Sequence, residues 1–191
     1  MTSLIFIALL IIVPVITVVL IIIASVIVMY NRFVSLRNKC DESFSTMDVY
    51  LKKRYDMIPN LVESVKKYAS HEKEVLENVT KARNIAMGSK DINERTNAES
   101  ALSGTLKTLF AVAENYPDLK ANTNFLDLQR QLEKIETDIA QSRKYYNAVV
   151  QTYNTTIEKF PAVIIANMFG QKRRAYFVIE EEERDAVKFD L

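Results

Sequence analysis

Hydrophobic residues fill an uninterrupted stretch near the start of the chain. No Asp, Glu, Lys or Arg occurs from Leu4 to Met29, in the run LIFIALLIIVPVITVVLIIIASVIVM. A helix of that length spans about 39 Å at 1.5 Å per residue, whereas the hydrocarbon core of a bilayer is about 30 Å thick. Pro14 does not exclude a helix, because membrane helices tolerate proline. The stretch therefore predicts a transmembrane helix over residues 4–29.

Positive charge follows this stretch and does not precede it. Arg32, Arg37 and Lys39 lie just after it, and residues 1–3 carry no charged side chain. Lys and Arg near a membrane segment favour the cytoplasmic side. We therefore expect residues 1–3 to form a short extracytoplasmic N-terminus and the rest of the chain to be cytoplasmic. A cleaved signal peptide is the competing interpretation, and the absence of a basic region before the apolar run disfavours it.

Beyond Tyr30 the apolar residues recur every three to four positions, which is the period of an amphipathic helix. Phe33, Cys40 and Met47 form one heptad row, and the stripe continues to Ile58. Three further stripes follow along the chain. Their members are Leu61, Val65, Tyr68, Val75, Val79 and Ala82; then Ala98, Leu102, Leu106, Leu109 and Ala113; then Phe125, Leu128, Leu132, Ile135, Ile139, Ser142, Tyr146, Val149, Tyr153, Thr156 and Phe160.

Prolines and one glycine-containing stretch separate the stripes. Pro59 removes a helical N–H, so we expect a helix break there, as a hairpin turn rather than a kink. Pro117 and Pro161 predict two further breaks, and Gly88 followed by Asp91 predicts a stop and a restart. Four amphipathic helices joined by short connections predict an all-α fold, an antiparallel up-and-down helical bundle of four long helices after the transmembrane helix.

The predicted bundle domain covers residues 30–170, and a C-terminal extended tail covers residues 171–191. The tail contains an apolar quartet: Tyr176, Phe177, Val178 and Ile179. An acidic run, EEEERD, follows the quartet. Because an unpaired strand edge invites another strand, we expect the tail to pair with the same segment of a neighbouring subunit, which predicts a homo-oligomer. A disordered tail is the alternative, given its charge.

Composition narrows the classes of function. The chain has only three glycines, too few for a glycine-rich phosphate loop or a doubly wound fold. Its formal net charge is +1, so it lacks the basic field of a nucleic-acid-binding protein, and we expect no nucleic-acid partner. The single cysteine, Cys40, cannot form an internal disulfide.

The stretch from Lys52 to Glu72, KKRYDMIPNLVESVKKYASHE, holds the most candidate chemistry, including the one histidine, His71. One histidine cannot supply the two Glu-x-x-His pairs of a di-metal carboxylate bundle, and no second histidine follows four residues later. Cys40 lies in an apolar row, and no acyl-transfer motif surrounds it or His71. We therefore expect no catalytic residue, metal or cofactor, and we expect that the protein is not an enzyme.

A structural role explains this stretch better than a catalytic one. Arg54 falls on the heptad row of Met47 and Leu61, where a charge has to be paired and hydrogen-bonded. Buried polar pairs in helical bundles can fix register. The sequence does not choose among three candidate acidic partners: Glu63, Glu114 and Glu136.

Three strings of the chain, RYDMIPNLVESVK, YPDLKAN and YNAVVQTYN, are specific when they are taken together. They resemble the LemA family of bacterial membrane proteins, and the resemblance extends from Tyr30 to Gly170. It implies one N-terminal helix in the bacterial inner membrane, an antiparallel helical bundle and no established enzymatic activity. Because members of the family are often encoded near membrane proteases, it also implies other membrane proteins, such as proteases, as partners.

Two functions follow as hypotheses. The one we favour is a membrane-anchored helical-bundle scaffold or adaptor, which mediates protein–protein interaction or self-assembly and has the lipid bilayer as one partner. The alternative is a ligand-binding sensor or an enzyme that uses a polar pocket in the bundle core. A pocket lined by Arg54, Glu63 and Glu136 favours the alternative, and a filled core favours the scaffold.

Overall fold

Long helices make up the protein. The structure, a computed structural model, describes residues 2–178, and within that range it contains six helices and no strand. The helices are α1 (Thr2–Tyr68), α2 (Lys73–Gly88), α3 (Ile92–Ala113), α4 (Pro117–Lys120), α5 (Thr123–Glu158) and α6 (Ala162–Met168). Residues 171–178 follow α6 without regular secondary structure. The prediction of an all-α fold is confirmed.

The described chain divides into two compact units. The first contains α1 as far as Asp41 together with Val149–Arg174, and the second contains Glu42–Ala148 together with the segment from Ala175. The apolar stripes of the sequence supply the buried side chains of both. In the first unit the buried stripe residues include Phe33, Cys40, Val149 and Tyr153, and in the second Met47, Leu51, Ile58, Leu61, Val65, Val79, Leu102, Leu106, Leu109 and Leu132. The end of the fourth stripe differs from the prediction, because Phe160 is exposed while Val150 and Ile157, outside the predicted stripe, are buried.

Contacts in the second unit give the directions of its longest helices. Three pairs join α1 to α5: Phe44 with Tyr146, Arg54 with Glu136, and Tyr68 with Asn122. The positions rise along α1 as they fall along α5, so these two helices are antiparallel. Two pairs join α1 to α3: Asp48 with Arg95 and Arg54 with Ser103. Here the positions rise together, so α3 runs in the same direction as α1.

The N-terminal part of α1 matches the predicted membrane segment. It is long and apolar enough to cross a membrane, and most of its large apolar side chains between Ile12 and Val28 are exposed. A helix that is apolar all round and exposed is typical of a membrane span. Burial begins at Phe33, whose side chain is fully buried.

The predicted helix break at Pro59 is wrong, since α1 continues through this residue to Tyr68. Pro59 has no N–H, so the carbonyl oxygen of Tyr55 loses its helical donor. The Nε of Arg83 on α2 donates a hydrogen bond to that carbonyl oxygen at 2.6 Å. A charged donor from a neighbouring helix thus replaces the missing backbone bond, and the helix continues.

The first turn of the chain lies at the end of α1 instead. There the N–H of Ala69 bonds to the carbonyl oxygen of Val65 at 2.8 Å, and the N–H of Glu72 bonds to that of Ala69 at 3.1 Å. The carboxylate of Glu72 accepts a hydrogen bond from the hydroxyl of Tyr116 at 3.0 Å. The turn is therefore held by its own backbone and by a side chain that precedes α4.

The other helix ends follow local chemistry. The predicted stop and restart is confirmed, because α2 ends at Gly88 and Asp91 caps α3 by accepting the N–H of Asn93 at 2.8 Å. Such an acceptor side chain pairs one of the N–H groups that the first helical turn leaves open. Pro117 is the first residue of α4, and Pro161 immediately precedes α6.

Loss of the hydrogen bond from Arg83 to Tyr55 should destabilise the protein. Arg83→Met removes the donor and should lower the free energy of unfolding by about 1.5–3 kcal/mol, the range for hydrogen bonds to charged groups. In a Pro59→Ala chain, residue 59 supplies its own N–H to Tyr55, so Arg83→Met should cost less than about 1 kcal/mol there. Denaturant unfolding of the four full-length chains in detergent gives the coupling energy. Equal costs in both backgrounds would show that Arg83 does not replace the missing bond.

Candidate functional site

Arg54 lies at the centre of a buried ion cluster in the second unit. Its side chain is 1% exposed, and it forms an ion pair with Glu99 of α3, which is fully buried. Its Nη1 also lies 2.7 Å from Oε1 of Glu136 on α5 and 3.3 Å from Oγ of Ser103 on α3. The hydroxyl of Tyr55 donates to Oε1 of Glu99. One cation therefore joins α1 to both α3 and α5.

Only one of the three expected acidic partners of Arg54 contacts it in the structure. Glu136 contacts it, whereas Glu63 is exposed and pairs with Lys67 at 3.7 Å. Glu114 is also exposed, and neither it nor Glu63 belongs to the cluster. Both acids are exposed, so water can solvate their charges without a buried partner.

Sequence reasoning missed Glu99, the fully buried partner. Glu99 falls on the heptad row of Leu106 and Ala113, both of which are buried. A carboxylate in such a row is costly unless a cation meets it. Two charges of opposite sign in apolar rows, Arg54 and Glu99, were therefore a usable signal for the pair.

A second ion pair extends the polar contacts between α1 and α3. The Nη2 of Arg95 lies 2.6 Å from Oδ1 of Asp48, and the guanidinium lies 5.7 Å from the ring centroid of Phe44. Burial raises the pKa of the Tyr55 hydroxyl, while Arg95 acts to lower it. Tyr55 consequently keeps its proton at neutral pH and remains a donor to Glu99.

Two asparagines on α5 bind the backbone of the segment 171–178, one in each unit. In the first unit, Asn154 donates from Nδ2 to the carbonyl oxygen of Arg174 at 2.9 Å, and its Oδ1 accepts the N–H of Arg174 at 2.9 Å. In the second unit, Asn147 makes the same two bonds to Phe177, at 3.0 and 2.9 Å. The N–H and C=O of one residue point the same way in extended backbone, so both targets are extended. We call each such pair of bonds an asparagine clamp.

A tyrosine precedes each asparagine and bonds to the same segment. The hydroxyl of Tyr153 donates to the carbonyl oxygen of Lys172 at 3.1 Å, and that of Tyr146 donates to the carbonyl oxygen of Ala175 at 3.0 Å. The Tyr-Asn dipeptide thus repeats after seven residues, and its backbone targets lie three residues apart.

Sequence reasoning also missed the clamps, although the string YNAVVQTYN contains the repeated dipeptide. Of the tail residues expected to mediate assembly, Phe177 is fully buried, Tyr176 is half-buried and Val178 is exposed. Ile179 lies outside the described residues. Gly170 begins the segment with φ 63°, a left-handed conformation that favours glycine. Residues 171–178 therefore leave α6 through a glycine turn and lie against α5 of their own chain.

The residues tested for catalysis lie apart from these contacts. His71 is exposed in the turn after α1. Cys40 is buried, and burial raises the pKa of its thiol, against the lowering influence of Arg174. Because the thiolate is the nucleophile, a raised pKa makes this cysteine less reactive. Across residues 2–178 no group of three or more His, Cys, Asp and Glu side chains has the arrangement of a metal site.

An open groove of about 680 Å³ lies between α3 and α5 in the second unit. Ser103 and Glu136 form one part of its wall, and both contact Arg54. Leu106 and Phe110 are among its apolar lining residues. The groove thus combines an apolar wall with a polar end, where Arg54 already pairs with carboxylates.

Comparisons with known proteins agree with this architecture. A family model described as LemA family matches residues 43–190, and the chain belongs to this family. Magnetosome protein MamQ 1 of Paramagnetospirillum magneticum is 27% identical over 181 residues, which cover 81% of this chain and 66% of that protein. Protein LemA of Metamycoplasma hominis is 24% identical over 159 residues, which cover 81% of this chain and 71% of that protein.

The chain spans just under two thirds of the length of the MamQ relatives that it matches. The predicted resemblance to the LemA family is confirmed. Together with the exposed apolar segment of α1, the family makes this a membrane-associated helical protein.

Loss of the cation from the ion cluster should lower the free energy of unfolding. Arg54→Leu leaves Glu99 buried without its cation and should cost about 3–5 kcal/mol of unfolding free energy. Arg54→Leu combined with Glu99→Leu should be closer to the wild type than Arg54→Leu alone, because apolar replacement of a whole buried pair is often neutral. Denaturant unfolding of the full-length chain in detergent measures both. The control, Glu63→Ala, changes an exposed acid and should stay within about 0.5 kcal/mol of wild type. An Arg54→Leu cost as small as that of the control contradicts the assignment.

Proposed function

We propose that the protein is a membrane-anchored scaffold or adaptor that binds extended segments of protein chain along α5. The asparagine clamps carry this proposal, because they bond to backbone groups that every residue except proline possesses. Such contacts recognise the extended conformation, as an added strand does at a sheet edge. A surface of this kind suits a protein whose role is to hold other chains.

The architecture that we propose for the scaffold is an antiparallel bundle of α1, α2, α3 and α5. The opposite directions of α1 and α5 support it, as do the ion pairs that join α1 to α3. We further propose that α1 crosses the bacterial inner membrane once, with residues 1–3 outside and the helical domain in the cytoplasm. The cations Arg32, Arg37 and Lys39 after the apolar segment support this orientation.

The segment 171–178 of this chain occupies the clamps on its own α5. We propose that the same segment of a neighbouring subunit can take its place, which gives a homo-oligomer by exchange of an identical element. Gly170 supports this step, since a glycine in a left-handed turn is a simple hinge for redirecting the segment. Other membrane proteins, including proteases, are further candidates for a chain held in the same way.

Tryptic cleavage tests the clamps directly, because Lys172, Arg173 and Arg174 are trypsin sites inside the bound segment. In the full-length protein in detergent, Asn147→Ala with Asn154→Ala should accelerate cleavage at these sites by about tenfold or more, the effect of losing at least 1.4 kcal/mol of binding. The control is Asn60→Ala, a change at an exposed asparagine of α1. Light scattering in the same detergent measures the mass of the assembly that each variant forms.

The two measurements separate the parts of the proposal. Loss of an oligomer in the double variant supports exchange of the segment between subunits. Faster cleavage with an unchanged mass supports the clamps as the contacts that hold the segment. It also shows that exchange of the segment between subunits does not hold an oligomer together. Cleavage at the rate of the Asn60→Ala control contradicts the clamps as the basis of binding.

The alternative function, a ligand-binding sensor or an enzyme, has one observation in its favour. The groove between α3 and α5 reaches Ser103 and Glu136, which both contact Arg54. A small molecule that copurifies with the full-length protein, and that is lost in an Ala111→Trp variant whose bulky side chain fills the groove from an exposed position, would favour this function over the scaffold.

A further inference from the structure

The short helix α6 exposes apolar side chains on a surface that carries no charge. No Asp, Glu, Lys or Arg occurs from Phe160 to Gly170. One face of α6 is buried through Ile165 and Ala166. The opposite face is apolar as well, with Ile164 53% exposed and Met168 75% exposed, and Phe160 just before the helix is 82% exposed. Asn167 is the one polar residue of α6 and is also exposed, but the apolar side chains dominate this face, and so much exposed apolar area favours an apolar environment around it.

The position of α6 indicates what that environment is. The ring of Phe169 lies 4.8 Å from the ring of Tyr30, centroid to centroid. Tyr30 follows directly on the uncharged stretch that ends at Met29, and Phe33 is already buried in the first unit. Tyrosine is enriched at the boundary between hydrocarbon and water. The exposed face of α6 therefore lies beside the point at which α1 leaves the membrane.

Cations flank this apolar surface. Lys159 precedes it, and Lys172 and Arg173 follow it, all three exposed. The Nε of Arg173 lies 3.1 Å from a carboxylate oxygen of Glu158, so part of this charge is neutralised within the protein. Apolar side chains bordered by Lys and Arg are typical of segments that lie in the interface of a membrane with anionic lipids.

We propose that α6 and the residues around it form a second membrane contact, which inserts into the interface of the same bilayer that α1 crosses. Phe160, Ile164 and Met168 enter the boundary between head groups and acyl chains, and the flanking lysines meet the head groups. The partner is a lipid surface. The contact of Phe169 with Tyr30 makes this surface continuous with the anchor, which favours lipid over a second protein as its cover.

Tryptophan fluorescence tests the proposal, because the chain has no tryptophan of its own. Phe160→Trp and Met168→Trp each place one reporter on the surface in the full-length protein, reconstituted into vesicles of phosphatidylcholine with phosphatidylglycerol. Lipids brominated on the acyl chains should quench both reporters, whereas aqueous acrylamide should quench them weakly. The matched control is Asn38→Trp, on the exposed side of α1 in the same unit and about 13 Å beyond Met29 along the helix.

Three outcomes decide the question. Bromolipid quenching of both reporters well above that of the Asn38→Trp control supports insertion. Reporters protected from acrylamide but not quenched by bromolipid would show that protein covers the surface, and this overturns the proposal. Reporters as accessible to acrylamide as the control would show an open surface, which overturns it too.

A charged variant separates insertion from mere closeness to the membrane. Ile164→Asp in the Phe160→Trp chain places a carboxylate on the face of α6 that we propose inserts into lipid, and it does not change α1. We expect bromolipid quenching to fall to the level of the Asn38→Trp control, and acrylamide quenching to rise to it. Circular dichroism of the same sample checks that the helices persist. Unchanged lipid quenching in a folded variant contradicts the insertion of α6.

Discussion

The missing N–H of Pro59 is the constraint around which α1 is organised. A proline inside a helix leaves a carbonyl oxygen without a donor and costs about 3 kcal/mol. Here the guanidinium of Arg83 donates to that oxygen, on Tyr55, at 2.6 Å. Because the bond comes from α2, it also fixes α2 against α1. The helix that begins in the apolar segment can therefore continue into the helical domain without a turn, and the anchor and the domain share one element.

Tyr55 connects the hydrogen bond from Arg83 to the ion cluster around Arg54. Its carbonyl oxygen accepts from Arg83 on α2, while its hydroxyl donates to Glu99 on α3. Glu99 in turn pairs with Arg54, which also contacts Glu136 on α5. Burying these charges is expensive unless each one is met, so an alignment of the helices that separates Arg54 from Glu99 is disfavoured. We infer that the cluster contributes more to the register of the helices than to net stability. Elsewhere on α5, the contacts are neutral, because two asparagines bind an extended segment through its backbone.

The sequence predicts the parts of this structure that depend on one helix at a time. The uncharged run of α1, the apolar stripes, the restart at Asp91 and the burial of Arg54 all follow from periodicity or from local capping. What it does not predict depends on a second element. The continuation through Pro59 requires Arg83, which is distant in sequence, and the choice of Glu99 over Glu63 requires the rotation of α3 about its axis. The asparagine clamps are intermediate, since the Tyr-Asn repeat is visible in the sequence but its partner segment is not.

A distance along α1 shows whether the helix continues through Pro59. Spin labels at Glu42 and Lys66, both exposed on α1, lie on either side of Pro59. They are introduced as cysteines in a Cys40→Ala chain, and double electron–electron resonance is recorded on the full-length protein in detergent. An unbroken helix predicts about 36 Å between the two backbone positions, at 1.5 Å per residue. A hairpin turn at Pro59 would fold Lys66 back along the first part of α1 and bring the two positions to less than about 20 Å, and such a distance would show that α1 is broken at Pro59.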